Sequence, residues 1–307
     1  YTKHTEKLYK AALWAGNIVL MLVAVAVSLI YAYHVRTSQI EVKQADFIST
    51  VESMKSVSQN YLDSERGYVE NWAFYINDRQ MTREEALDFL RSINTNPGRY
   101  VHIVDMENFD AWSASYPAGH DEIDTYHRFQ GELKDWEQLM LDAMWEMYNG
   151  TAPKFTVVGR YQLDETVSPA VSVGARITLQ TEDGTKDFLL LRAIPTNVLQ
   201  KTWVFPAEYQ SAEVGIMTTK GGYVIQSPSM KSISFPEYIR GYNFQDDYNK
   251  VDSFQKELES TDHGVLCYKN FRNEDCLWYY SSFGGNSNLD ILGVIRLDEL
   301  QPENGTW

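Results

Sequence analysis

The side chains able to do chemistry are few in kind and loosely arranged. Six histidines and two cysteines stand among 307 residues. None falls in a recognisable constellation: there is no G-x-S-x-G, no Walker-type glycine loop, no H-E-x-x-H and no C-x-x-C. His120 and His127 lie near Asp121, Glu122 and Asp124, donors that a divalent metal would accept. Their spacing fits no helical ligand pattern, a solvated loop is the plainer reading, and neither a metal nor a cofactor is expected. The 42 acidic residues supply carboxylates without a spaced pair, so a glycosidase-type acid and base has no signature here. Cys267 and Cys276 flank a turn at Asn270-Phe271-Arg272-Asn273 between two predicted strands. Symmetry about that turn sets them face to face, where an oxidising compartment favours a disulfide; two separately buried thiols are the alternative.

The elements that must position these groups begin in a membrane. Residues 11–33 read AALWAGNIVLMLVAVAVSLIYAY and carry no ionisable group except tyrosine, a run long enough for the roughly 20 residues that cross hydrocarbon. A secretory leader has a shorter apolar core and a small-residue cleavage site, whereas Tyr31, Tyr33, His34 and Val35 close this run. Trp14, Tyr31 and Tyr33 fit interfacial belts, and Lys3, Lys7 and Lys10 against Glu6 put residues 1–10 in the cytoplasm. The chain beyond residue 34 is therefore extracytoplasmic. The net charge of −15 excludes nucleic acid as a natural partner and disfavours anionic lipid surfaces; the bilayer contact is residues 11–33. A first residue other than Met and an end at Trp307 are read as a piece of something longer.

Residues 34–66 predict one long exit helix. Ile40, Phe47, Val51, Met54 and Tyr61 form a heptad-like stripe, suited equally to a homodimer seam and to the helix's own domain. Gly67 is the expected break, followed by a short amphipathic helix to about Asn77. A capping box of Thr82 and Glu85 opens another helix, which Asn94 ends. Strands are predicted near residues 99–106 and 111–115, a helix over 129–148, and strands over 154–162, 170–180 and 187–194. After a connection at 195–206 the order repeats: strands at 213–218 and 223–226, a helix at 235–241, a further element near 254–258, and strands at 264–270, 275–283 and 289–297. The expected fold class is α+β, with helices on antiparallel sheets, and the repeated order is the most informative pattern outside the membrane segment.

A span, a long exit helix and two successive sheets of this order resemble the double Cache (PAS-like) sensor domain of bacterial transmembrane receptors. The resemblance is carried by Tyr100-Val101-His102-Ile103-Val104-Asp105, by the run from Met217 through Gly221-Gly222 to Ile225, and by Leu292 through Leu300. It implies a membrane-distal subdomain at 67–200, a membrane-proximal one at 201–300, and residues 301–307 leading toward a second span and a cytoplasmic output. A sensor histidine kinase is the favoured output, with a diguanylate cyclase or chemoreceptor as alternatives. The resemblance also implies a small-molecule site in the distal subdomain, at Trp112, Tyr116, Tyr126, Arg128, Trp136, Tyr161, Arg176 and Arg192. There an arginine would clamp a carboxylate and aromatic rings would cover an apolar body or organic cation. An arginine shortly before a Trp-Tyr pair, the amino-acid pattern of some Cache domains, is not reproduced at Arg128 and Trp136. From the residues alone, core aromatics and surface arginines are the bland reading, and a tethered hydrolase or a ligand-independent scaffold are the rival functions.

Overall fold

The computed structural model describes residues 2–94, 100–114, 124–133, 135–151, 170–228, 230–232, 234–244, 248–284 and 289–301. Helix α1 runs from Thr2–Arg79. Its residues 13–35 are all exposed, and it is long and apolar enough to cross a membrane; at 1.5 Å per residue those 23 positions reach ~35 Å, against a hydrocarbon core of about 30 Å. Gly67 does not interrupt the helix. A single glycine costs about 1 kcal/mol in a helix, and the buried Leu62, Glu65 and Val69 on either side outweigh it.

The chain divides into two compact units, Tyr1–Ser49 with Leu297–Trp307, and Thr50–Arg296. In the first, Arg36 Nη2 donates to Gln301 Oε1 at 3.1 Å, and Lys43 Nζ donates to the carbonyls of Glu299 and Gln301 at 3.5 and 3.1 Å. The segment after the last strand thus lies beside the helix just past its apolar run.

The second unit holds two antiparallel sheets. The first, in the order β2-β1-β4-β3, is built from β1 (Tyr100–Val104), β2 (Ala111–Ser113), β3 (Ala170–Thr181) and β4 (Gly184–Pro195). The turn at 182–183 joins β3 to β4 in a hairpin whose register runs without interruption from Thr181↔Gly184 to Ala170↔Pro195. Helix α2 (Arg83–Ile93) carries the predicted capping box, with Thr82 and Glu85 bonded reciprocally. A 3-10 helix (Asp124–Gln130) and α3 (Asp135–Asn149) cover one face of the sheet, where Val104, Tyr126, Met140, Met144 and Leu191 form the core. Helix α3 ends in a Schellman motif: Gly150 takes φ +70°, and Thr151 N–H reaches Glu146 O at 2.9 Å.

Helix α4 (Thr196–Gln200) leads toward the second sheet, in the order β6-β5-β9-β8-β7. Its strands are β5 (Glu213–Thr218), β6 (Tyr223–Ile225), β7 (His263–Lys269), β8 (Asp275–Ser282) and β9 (Leu289–Arg296). Helices α5 (Phe235–Ile239) and α6 (Tyr248–Ser260) cover one face, around Trp278, Phe235 and Phe254. The two sheets share a plan. Strands β1, β2, β3 and β4 stand as β5, β6, β8 and β9 do, and the segment 154–162 that would match β7 lies outside the described residues.

Of the two readings open for the stripe, packing on its own domain holds at Phe47, Val51 and Met54, which are buried within the single chain. One expectation is corrected. The cysteines are both free. The β7–β8 register pairs Cys267 with Leu277 and Tyr268 with Cys276, one residue from the expected alignment, because the loop holds five residues, 270–274. Asn270 Oδ1 caps the amides of Arg272 and Glu274, and Asn273 takes φ +61°. A one-residue slip turns a side chain to the other face, so Cys267 is exposed while Cys276 points into the core.

Candidate ligand-binding site

Helix α1 is fastened to both sheets. Tyr279 Oη donates to Glu52 at 2.8 Å and Lys55 Nζ to Ser281 Oγ at 2.7 Å, both on β8. Trp203 Nε1 donates to Ser58 Oγ at 2.8 Å, and farther along the Thr178 amide of β3 donates to Asn77 Oδ1 at 2.7 Å. Between these lies the most deeply enclosed tie: Glu65 forms an ion pair with Arg192 of β4, the two side chains only 2% and 1% exposed. The Arg192 guanidinium also sits 5.1 Å from the ring centre of Trp72 and 5.9 Å from that of Tyr68.

Strand alternation decides which predicted site residues can meet. Arg192 pairs with Val101 and Val173 on the α1 side of the first sheet. The expected ligand clamp is therefore already engaged by a carboxylate of its own chain, and it faces away from the helix-covered side. Trp112, paired with Ile103, shares that α1 face; Arg83 of α2 lies 4.4 Å from its ring, and Phe188 packs edge-on at 6.1 Å. Tyr126 is on the other side, buried with its ring 6.0 Å from His102. Arg176, paired with Leu189, is on that same side but at the sheet margin, its side chain 54% exposed. Tyr116 and Tyr161 lie outside the described residues, as do the side chains of Arg128 and Trp136. The sheet thus separates Trp112 and Arg192 from Tyr126 and Arg176. Of the histidines and acids weighed as metal donors, His127 bonds Asp110 at 2.7 Å, and His120, Asp121 and Glu122 fall outside the described residues.

One cavity of about 420 Å³ opens beside Arg176, a size suited to a small metabolite. Its walls are Arg66, Glu70 and Asn77 of α1, residues 147–150 at the end of α3, and residues 172–176 with Thr178 on β3. Gly174 allows α3 to approach this closely: a Cβ there would stand 2.8 Å from Met147 Sδ and 3.1 Å from Leu190 O. Arg66 and Glu70 neutralise one another at 2.7 Å. Arg176 lies 6.0 Å from the ring centre of Tyr148 and 3.8 Å from Asp187, which also accepts a 2.6 Å bond from Thr178 Oγ1. Burial, with Asp187 next, pushes the Tyr148 phenol up, so it stays a neutral donor. Ser172, fully buried on the cavity wall, has a hydroxyl with no partner among the described residues. These groups can hold a polar molecule. Among the described wall residues there is no nucleophile–base pair to transform one.

Sequence reasoning singles out Arg176 but misses Ser172, Tyr148 and Glu65. Only their place on β3, α3 and α1 distinguishes them, and no local spacing carries that.

No family model and no curated protein matches the sequence. Solved structures do. The extracellular domain of a histidine kinase aligns at 14% identity with a TM-score of 0.58, over 86% of this chain and 97% of that one. The ligand-binding domain of PctB, an amino-acid chemoreceptor of Pseudomonas aeruginosa PAO1 in complex with L-Gln, aligns at 10% identity and 0.54, over 83% and 91%. The periplasmic sensory domain of the Campylobacter jejuni chemoreceptor Tlp1 aligns at 11% and 0.54, over 83% and 95%. The fold is that of a double Cache sensor domain. In a double Cache plan the two sheets are the two PAS-like subdomains and α1 is the helix they share, which accounts for the repeated strand order. At these identities the likeness speaks for the fold.

Proposed function

We propose that this chain is the extracytoplasmic sensing region of a membrane receptor, binding a small molecule in its first subdomain and passing the change along α1. The observation that carries the reading is the lacing of one continuous helix to both sheets, at Glu52, Lys55, Ser58, Glu65 and Asn77. A ligand that favours one packing of the first sheet over another shifts the population of helix positions by its differential affinity. The return of Glu299 and Gln301 to Arg36 and Lys43 suits an outgoing path beside the incoming one. In this reading residues 67–200 are the membrane-distal subdomain, 201–300 the proximal one, and residues 11–33 the span, with the N-terminus cytoplasmic. The 420 Å³ cavity is the ligand site, Arg176 being its polar anchor. A histidine kinase output is favoured by the first of the structural relatives, and chemoreceptors share the fold. A homodimer is the working assembly.

The test is a ligand screen on the full chain in lipid nanodiscs, reading melting temperature against amino acids, other carboxylates, amines and sugars. A ligand at 100 times its Kd adds about 2.7 kcal/mol, roughly 5–10 °C for a domain of this size. Arg176→Ala should abolish that shift while leaving the unliganded melt in place. Turnover of an ester or glycoside panel with no stabilising compound would overturn the sensing role.

A further inference from the structure

The second sheet contains a carboxyl group that the ligand reading does not use. Asp290 is the second residue of β9, the central strand, and pairs with Met217 of β5 and Ser282 of β8. Alternation puts it on the face covered by α5 and α6, in line with Leu292 and Tyr280. It is 2% exposed, and its Oδ2 has no hydrogen-bond partner among the described residues. The charged groups acting on it are Asp262, just before β7, and Lys55 of α1. Lys55 is already held by Glu52 at 2.6 Å and by Ser281 Oγ at 2.7 Å on the α1 face of the sheet. Tyr280, the titratable neighbour on β8, has its hydroxyl against Thr261, and Glu257 of α6 adds another negative charge near that phenol. An ionised carboxylate in this position meets desolvation and like charge together, and the one cation acting on it among the described residues is committed elsewhere.

We propose that Asp290 is a proton-binding site that makes the second subdomain responsive to extracytoplasmic pH. The protonated acid fits an apolar, acid-flanked setting, and ionisation forces this end of the central strand to admit water or a cation. Burial first, then Asp262, pushes the group up to about 7 from the ordinary carboxylate range. Between that range and about 7 the folded chain binds a proton that the unfolded chain has released, so stability falls as pH rises through this window and is lowest above it. The proposal stands apart from the cavity of the first subdomain: a failure here leaves that ligand reading untouched, and the reverse holds.

The experiment compares the full chain and its D290N and D262N variants in nanodiscs from pH 5 to pH 8, by melting temperature and by carboxyl NMR of 13C-aspartate-labelled protein. Asn keeps the shape and cannot ionise. Relative to wild type, D290N should gain about 5 °C or more at pH 8 and clearly less at pH 5. The Asp290 carboxyl signal should titrate near neutrality, and D262N should move its midpoint down. Equal pH dependence in wild type and D290N, or an Asp290 midpoint in the usual carboxylate range, overturns the proposal. Should D290N fold poorly, the wild-type NMR midpoint decides alone.

Discussion

Removing one member of the Glu65–Arg192 pair should unfold the first subdomain more readily than any surface change, because each partner leaves the other charged and enclosed. Arg192 is 1% exposed and Glu65 2%, so neither charge can be solvated by a side-chain rotation. Breaking such a pair by truncating one partner costs about 3–5 kcal/mol, whereas replacing both with apolar groups of similar volume is close to neutral. Glu65→Leu and Arg192→Met should therefore each lower the melting temperature by roughly 6–20 °C, at about 2–4 °C per kcal/mol for a domain of this size. The E65L/R192M double variant should recover most of that loss. Arg192 also sits over Trp72 and Tyr68, which adds about 1 kcal/mol that Met does not restore, so recovery will be incomplete. The assay is thermal and denaturant unfolding of the full chain in nanodiscs, followed by tryptophan fluorescence and arranged as a double-mutant cycle. Single variants within about 1 kcal/mol of wild type, or losses that simply add in the double, would refute a coupled buried pair.

Other consequences are more local. Cys267 should react with a maleimide in the folded chain, while Cys276, its thiol pushed up to about 12 by burial, should react only after unfolding; a mass indicating an internal disulfide would contradict the register. Gly221→Ala should destabilise by about 2 kcal/mol or more, since the position holds φ +83° and a Cβ would stand 2.4 Å from Pro236 Cδ; an unchanged denaturation midpoint would show that this turn relaxes freely. Met54→Asp should reduce stability by several kcal/mol without acting selectively on self-association, because Met54 is core; a well-folded variant impaired only in association, by light scattering, would return the stripe to a seam.

Much of the architecture is written in local pattern. An uncharged apolar run long enough for hydrocarbon, the Thr82–Glu85 capping box, the Gly184 hairpin and the short apolar runs of β5, β8 and β9 are short-range signals, set by solvation and backbone sterics within a few residues. The repeated strand order is legible for the same reason. Face and register are beyond such signals. Gly67 reads as a break because its cost is local, while the packing at Leu62 and Val69 that overrides it is tertiary. The cysteines read as paired because a four-residue turn and a five-residue loop differ only in how Asn270 and Asn273 are used. Arg192 reads as a ligand clamp because Glu65 is remote in the chain, and only the docking of α1 on β4 brings a carboxylate to it. Arg176 stands on the cavity wall, but its neighbours Ser172 and Tyr148 come together there only when α3 packs on β3. By itself the sequence determined the apolar span, the class of fold and most elements; the tertiary structure decided which side of each sheet every polar side chain occupies. Burial and charge pairing depend on that side, and so does any site.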